Sequence, residues 1–148
     1  PGPLAAVTEI PRTGLSDSPP RGLNLGVSEI GERLGALVIA ISGSLGAVVT
    51  DSYGHTIDYA FDGQKASLLD VELTGAQVGQ SIERLRSIAV IFGLGDPSIL
   101  VEGDEGSLLV RGIDHQCTLA IMLDGGANLA QMWREIPALL RDLEDLLR

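Results

Sequence analysis

Two histidines and a single cysteine carry the imidazole and thiol chemistry of this sequence. His115 and Cys117 are separated by one residue, so on a strand they would share a face. A working thiolate–imidazole pair also needs a group that orients the histidine and a site for an oxyanion. Asp114 is adjacent, but alternation would turn it to the other face. The favoured reading is a turn histidine leading into a strand that opens with a buried thiol. His55 follows a turn glycine and has no evident partner. Two histidines and one cysteine would bind zinc only if a carboxylate completed the set.

The remaining candidates are carboxylates and glycines. Glu102, Asp104 and Glu105 surround a turn between two strand-like runs, without the alternate oxygens and sixth-position glycine of a calcium loop. They read as a solvated hairpin tip, or as an acidic recognition surface for a basic partner. Gly93-x-Gly95 lacks the third glycine of a dinucleotide fingerprint and follows a helix, so it reads as a helix stop. The chain has no Gly-x-x-x-x-Gly-Lys-Ser/Thr loop and no Gly-x-Ser-x-Gly elbow. No catalytic residue, metal site or cofactor site is expected. Gly75 and Gly79 form a Gly-x-x-x-Gly inside a long helical pattern, where each costs about 1 kcal/mol relative to alanine. Close approach of another helix, or of the chain's own sheet, would offset that cost; the intermolecular contact is the favoured reading.

The chain that must position these residues has 148 of them, one domain's worth. Its formal charge is −10, and Lys65 is the lone lysine among ten basic residues. Such a surface repels phosphates and anionic lipids, and 3% aromatic residues leave little for base stacking. Nucleic-acid and membrane partners are therefore not expected. The uncharged run Leu34–Thr50 is interrupted by Gly35, Ser42, Gly43, Ser44 and Gly46, so it reads as a helix end, a turn and a strand rather than a membrane span. One cysteine excludes an internal disulfide framework and fits a reducing compartment. The expectation is an acidic cytoplasmic domain whose partner is a protein.

Residues 1–24 read as a flexible Pro/Gly-rich extension and 25–148 as the folded domain. Val27, Ile30, Leu34, Leu37, Val38 and Ile41 give one helical face, with Ser28 as N-cap. A hairpin follows, from Gly46 to Ala60. A long helix then spans Ala66–Phe92, with the stripe Val71, Gly75, Val78, Ile82, Leu85, Ala89 and Phe92. A second apolar row, Leu69, Leu73, Ala76, Ile88 and Ile91, gives this helix two faces to cover, and so two partners. Ser98–Glu102, Ser107–Arg111 and Cys117–Leu123 form a meander. Asn128 caps a last helix that Pro137 should kink or divide. The sum is an α+β fold: a five-stranded antiparallel sheet sandwiched between helices, in the order helix, two strands, helix, three strands, helix. The negative charge is expected on the hairpins, as a solvated rim that includes Asp51, Asp58 and Asp62.

With these elements in place, the chain resembles the roadblock / dynein light chain family, which includes bacterial regulators of small Ras-like GTPases. The resemblance spans about Val27–Arg148. It is carried by GAVVTDSYGHTIDYA (46–60), the long helix with small residues, SILVEGDEGSLLVRGIDHQCTLAIMLD (98–124) and ANLAQMWREI (127–136). It implies a profilin-like sandwich, with the middle helix on one sheet face and the terminal helices on the other. It also implies a homodimer in which middle helices pack together and third strands pair. Mapped here, the interface comprises Val71, Gly75, Val78, Gly79, Ile82, Leu85, Ala89, Ile99, Leu100 and Val101. Function by resemblance is a non-enzymatic regulatory or scaffold module in a prokaryotic cytoplasm. It would bind a small Ras-like GTPase and favour one nucleotide-dependent conformation. The alternative is an adaptor without nucleotide-state preference. Arg84, Arg86, Glu102, Asp104 and Glu105 are the charges available to such a partner, with the arginines expected in solvent.

Overall fold

The computed structural model describes residues 22–148. The extension read over 1–24 lies outside the described residues up to position 21. Along the chain run β1 (Leu23–Leu25), α1 (Glu29–Ala40), β2 (Ser44–Asp51), β3 (Thr56–Asp62), α2 (Leu68–Phe92), β4 (Ser98–Glu102), β5 (Gly106–Ile113), β6 (Cys117–Asp124) and α3 (Leu129–Leu147). Among the described residues the sheet has six strands, not five, in the order β1-β3-β2-β6-β5-β4, and every neighbouring pair is antiparallel. The added strand is β1, which pairs Leu23 with Asp62 and Leu25 with Ala60. Three residues are too few to show a period, and Leu-Asn-Leu follows a proline-rich stretch; the strand exists because β3 offers it an edge.

Each face of the sheet carries its own core. On one face α1 and α3 lie side by side. Leu34 and Leu37 of α1 and Met132, Leu139 and Leu143 of α3 meet Ala47, Val49, Leu119 and Ile121 of the strands. On the other face α2 is the one helix among the described residues, packing Val71, Val78 and Ile82 over Val48, Phe61, Val110 and Ala120. The layering is thus two helices, sheet, one helix. Val27, counted on the α1 apolar face, is fully exposed. It lies ahead of the helix, where that periodicity no longer applies.

Helix starts are fixed by side chains. Ser67 and Asp70 form a reciprocal capping box at α2, and Asn128 accepts from the Gln131 N–H at α3. The start of α1 draws on a distant strand. Asp58 of β3 accepts from the backbone N–H groups of Ser28 and Gly31, each at 2.9 Å, and from the Ser28 hydroxyl. Asp58 is only 3% exposed and Asp62 only 5%, so neither belongs to a solvated rim. Both point to the face that α1 covers, and Asp58 is satisfied there by the free N–H groups of a helix N-terminus. Gly26 and Gly31 leave the room: a Cβ on either would collide with the Asp58 carboxylate.

Pro137 neither divides nor ends α3, which runs unbroken from Leu129 to Leu147. The proline is on the exposed side, one turn after the exposed Trp133, so the carbonyl left without its donor faces water.

Candidate functional site

The two apolar rows of α2 have separate destinations. Val71, Gly75, Val78, Gly79, Ile82 and Ala89 are buried inside this one chain. A Cβ at Gly75 would come within 2.6 Å of the Thr50 methyl, and one at Gly79 within 3.1 Å of the Thr50 hydroxyl and 3.3 Å of Gly54 Cα. The Gly-x-x-x-Gly is therefore a helix-on-sheet contact, and the stripe assigned to a dimer interface covers the chain's own sheet. Small residues fall on this side because they let a long helix lie close to a twisted sheet. Leu85 of that stripe is partly buried.

The second row is the uncovered one except at Ala76, which is partly buried with its backbone close to Gly54 of the β2–β3 turn. Leu69 is 63% exposed, Leu73 55%, Ile88 49% and Ile91 75%. Gln77, Gln80 and Arg84 separate the two apolar ends of this outer face and are themselves exposed. Leu69 and Ile91 lie equidistant along the chain from Gln80, and Leu73 and Ile88 nearly so.

The end of α2 also leaves the sheet behind. Twenty-five residues of helix measure about 37 Å, whereas an eight-residue strand spans about 26 Å. Gly79 already sits over the β2–β3 turn, and Arg86 reaches the β5–β6 turn. Ala89 is the last buried residue of the helix; past it Val90, Ile91 and Phe92, with Leu94 of the following turn, are exposed, so the end of α2 overhangs. Gly93 closes the helix in the left-handed conformation at φ 66°, as its position predicts.

Beside this overhang β4 forms the edge of the sheet, and among the described residues its one partner is β5. Ile99 packs toward the α2 side and Leu100 toward the α1/α3 side, while Val101 is 53% exposed. Among the described residues its outer backbone edge is unpaired, the condition in which a strand accepts another strand. Glu102 ends the strand and the turn beyond it holds Asp104 and Glu105, all three exposed as expected.

The arginines divide. Arg84 is exposed. Arg86 is not the solvated side chain its sequence suggests: its side chain is 11% exposed and every arm is used. Nε donates to Glu83 at 2.7 Å, Nη1 to Asp96 at 2.7 Å and Nη2 to the Cys117 carbonyl at 2.8 Å. Asp96 also accepts from the His115 backbone N–H, and its own carbonyl accepts from Arg111.

The residues with chemical potential are not brought together. His115 sits in the β5–β6 turn, where Asp114 and His115 take φ of 49° and 60° and the Gln116 N–H closes onto the Ile113 carbonyl. These are the angles of a type I′ hairpin turn. His115 thereby lies before the strand rather than on the Cys117 face, with its Nδ1 3.3 Å from Asp96. Cys117 packs against the α1/α3 core. Burial pushes its thiol pKa up, and the Asp51 charge pushes the same way, with Arg86 partly opposing. A thiol held protonated is a poor nucleophile. His55 does have a partner: its Nδ1 lies 3.2 Å from Asp51, whose other oxygen accepts from the backbone N–H groups of Tyr53 and His55. Among the described residues no group of three or more His, Cys, Asp or Glu is placed to hold a metal ion, and no helix is long and apolar enough to cross a membrane.

No family model and no curated protein sequence matches the chain. Solved structures do. A Roadblock/LC7 domain from Streptomyces avermitilis superposes with TM-score 0.66 at 19% identity, covering 78% of this chain and 95% of that one. Myxococcus xanthus MglB gives 0.69 at 16% identity, over 81% and 95%. The gliding protein MglB of Thermus thermophilus gives 0.70 at 14% identity, over 82% and 94%. The polypeptide described by residues 22–148 has the roadblock/LC7 fold.

Proposed function

We propose that this chain is a non-enzymatic member of the roadblock family that works as a homodimer and binds a small Ras-like GTPase, favouring one nucleotide state of it. The observation that supports this most is the combination, on one roadblock fold, of an α2 row and a β4 edge that are uncovered and unpaired among the described residues. A second copy related by a two-fold axis near Gln80 would lay Leu69 and Leu73 of one α2 against Ile91 and Ile88 of the other. The interface is then Leu69, Leu73, Ile88 and Ile91 together with Ile99, Leu100 and Val101, in place of the inward-facing stripe. Ion-paired Arg86 is unavailable to a partner, which leaves Arg84 with Glu102, Asp104 and Glu105 as the charges a GTPase would meet.

The test is a binding titration of the purified chain against small Ras-like GTPases encoded beside its gene, each loaded with GTP or GDP. At least a tenfold preference for one nucleotide state is expected. Equal binding would favour an adaptor role without nucleotide preference, and no binding to either state would sink the GTPase reading.

A further inference from the structure

Arg86, Asp96 and Gly112 form a polar clamp at the place where α2 leaves the sheet. The exposed end of the helix begins at Val90, four residues after Arg86, and β4 begins two residues after Asp96. Arg86 ties the helix to Asp96 through Nη1 and to the first residue of β6 through the Cys117 carbonyl. Asp96 ties the α2–β4 turn to the β5–β6 turn through the His115 N–H and to β5 through the Arg111 side chain. The Gly112 N–H donates to the Pro97 carbonyl, the last bond before β4 begins. A Cβ on Gly112 would lie 3.1 Å from both Arg86 Nη1 and the Asp96 carboxylate, so a larger residue would crowd the ion pair. The Arg86 and Asp96 side chains are 11% and 14% exposed. They are thus withdrawn from the surface that the outer α2 row and the β4 edge present.

We infer that Arg86 and Asp96 are positioning residues for self-association: they set the direction of the overhanging end of α2 relative to the β4 edge without touching the second copy. The inference rests on the homodimer proposed above. Two separate strips must meet a partner at once, one on a helix and one on a strand, and a two-fold interface repeats any error in their relative placement. A planar guanidinium with three directed bonds holds such an angle better than an apolar contact would. Of the other charged side chains, Arg111 also reaches this turn, from β5 through the Asp96 carbonyl.

The experiment compares the full chain with Asp96→Ala, Asp96→Asn and Arg86→Lys. It reads the dissociation constant by sedimentation, the melting temperature, and amide hydrogen exchange over β4. Ile121→Val, in the core on the opposite face, is the control for general destabilisation. Asp96→Ala should weaken self-association at least tenfold and speed exchange at Ile99–Val101, with α1 and β2 unchanged. Asp96→Asn keeps one acceptor oxygen and should recover part of both effects. Arg86→Lys keeps the charge, loses the fork and should resemble Asp96→Ala; it serves as the reading if Asp96→Ala does not fold. Ile121→Val should lower the melting temperature and leave association alone. Wild-type association in both Asp96→Ala and Arg86→Lys would overturn the inference. If the unaltered chain is monomeric, the homodimer itself fails. The exchange data then decide the clamp alone: faster β4 exchange in Asp96→Ala supports it, and unchanged exchange overturns it.

Discussion

Replacing Leu73 by aspartate separates association from folding. Leu73 is on the outer row of α2, 55% exposed in the single chain. Burying a leucine completely is worth about 1.5–3 kcal/mol, so covering the exposed half is worth about 1–1.5 kcal/mol. A two-fold interface covers it twice, about 2–3 kcal/mol in all. Leu73→Asp removes this and places an unpaired carboxylate in each half of the contact, which costs several kcal/mol more. The dissociation constant should therefore rise at least about a hundredfold, because every 1.4 kcal/mol is tenfold. The isolated fold should lose only about 0.5 kcal/mol, the ordinary cost of aspartate for leucine on an exposed helix face. Sedimentation velocity across a concentration series, with thermal melting of the same samples, reads both quantities. The contrast is Ile82→Asp: Ile82 is fully buried against the sheet, so this variant should not fold at all. A Leu73→Asp chain that associates like the wild type would refute the outer-row interface. A folded Ile82→Asp monomer would refute the inward assignment of the other row.

The remaining expectations concern the parts that hold this surface in place. Gly75→Ala gains about 1 kcal/mol of helix propensity, yet its Cβ would sit 2.6 Å from the Thr50 methyl, so a net loss of melting temperature is expected; a gain would mean that the glycine does not press on the sheet. Asp58→Ala strips the acceptor from two backbone N–H groups and a hydroxyl at the start of α1, and denaturant unfolding should show a loss of about 2–5 kcal/mol, with less than 1 kcal/mol counting against the cap. Burial pushes the Asp51 carboxyl up, but the His55 and Tyr53 N–H bonds and the His55 ring outweigh it, leaving its pKa below the ordinary 3.8. A depressed carboxylate stabilises the fold above its unfolded value and loses that contribution as pH falls through the folded one. The stability gap between wild type and Asp51→Asn should accordingly be full above pH 3.8 and close below it; a gap independent of pH would contradict the assignment. Cys117 should alkylate with iodoacetamide more slowly at pH 7 than an unfolded-chain thiol, and faster labelling would reopen a reactive role for it.

Hydrophobic period suffices to find α1, α2, α3 and five of the strands, because each of those elements repeats its pattern over several residues. It also suffices to show that α2 has two apolar rows. Which row meets the sheet is a matter of distance rather than hydrophobicity. The glycine-containing row lies nearer the sheet, and the bulkier Leu69, Leu73, Ile88 and Ile91 are left outside. Asp58 misleads for a related reason. Alternation of Ile57, Tyr59 and Phe61 assigns Asp58 to the opposite side, but β3 is covered on both faces, so the opposite side is a helix start and not water. The Arg86 clamp joins residues far apart in the chain, and no local pattern announces it. β1 is invisible in the sequence because its order comes from its neighbour.

That short strand bears on what lies upstream of it. Among the described residues β1 and β4 are the opposite edges of the sheet. If two copies join along β4, the sheets run on into one another and the two β1 strands become its far ends. At about 4.8 Å between neighbouring strands, the ends stand about 50 Å apart measured along the sheet. Whatever the two N-terminal extensions carry is then delivered at two points separated by a set distance, a spacer whose length is counted in strands.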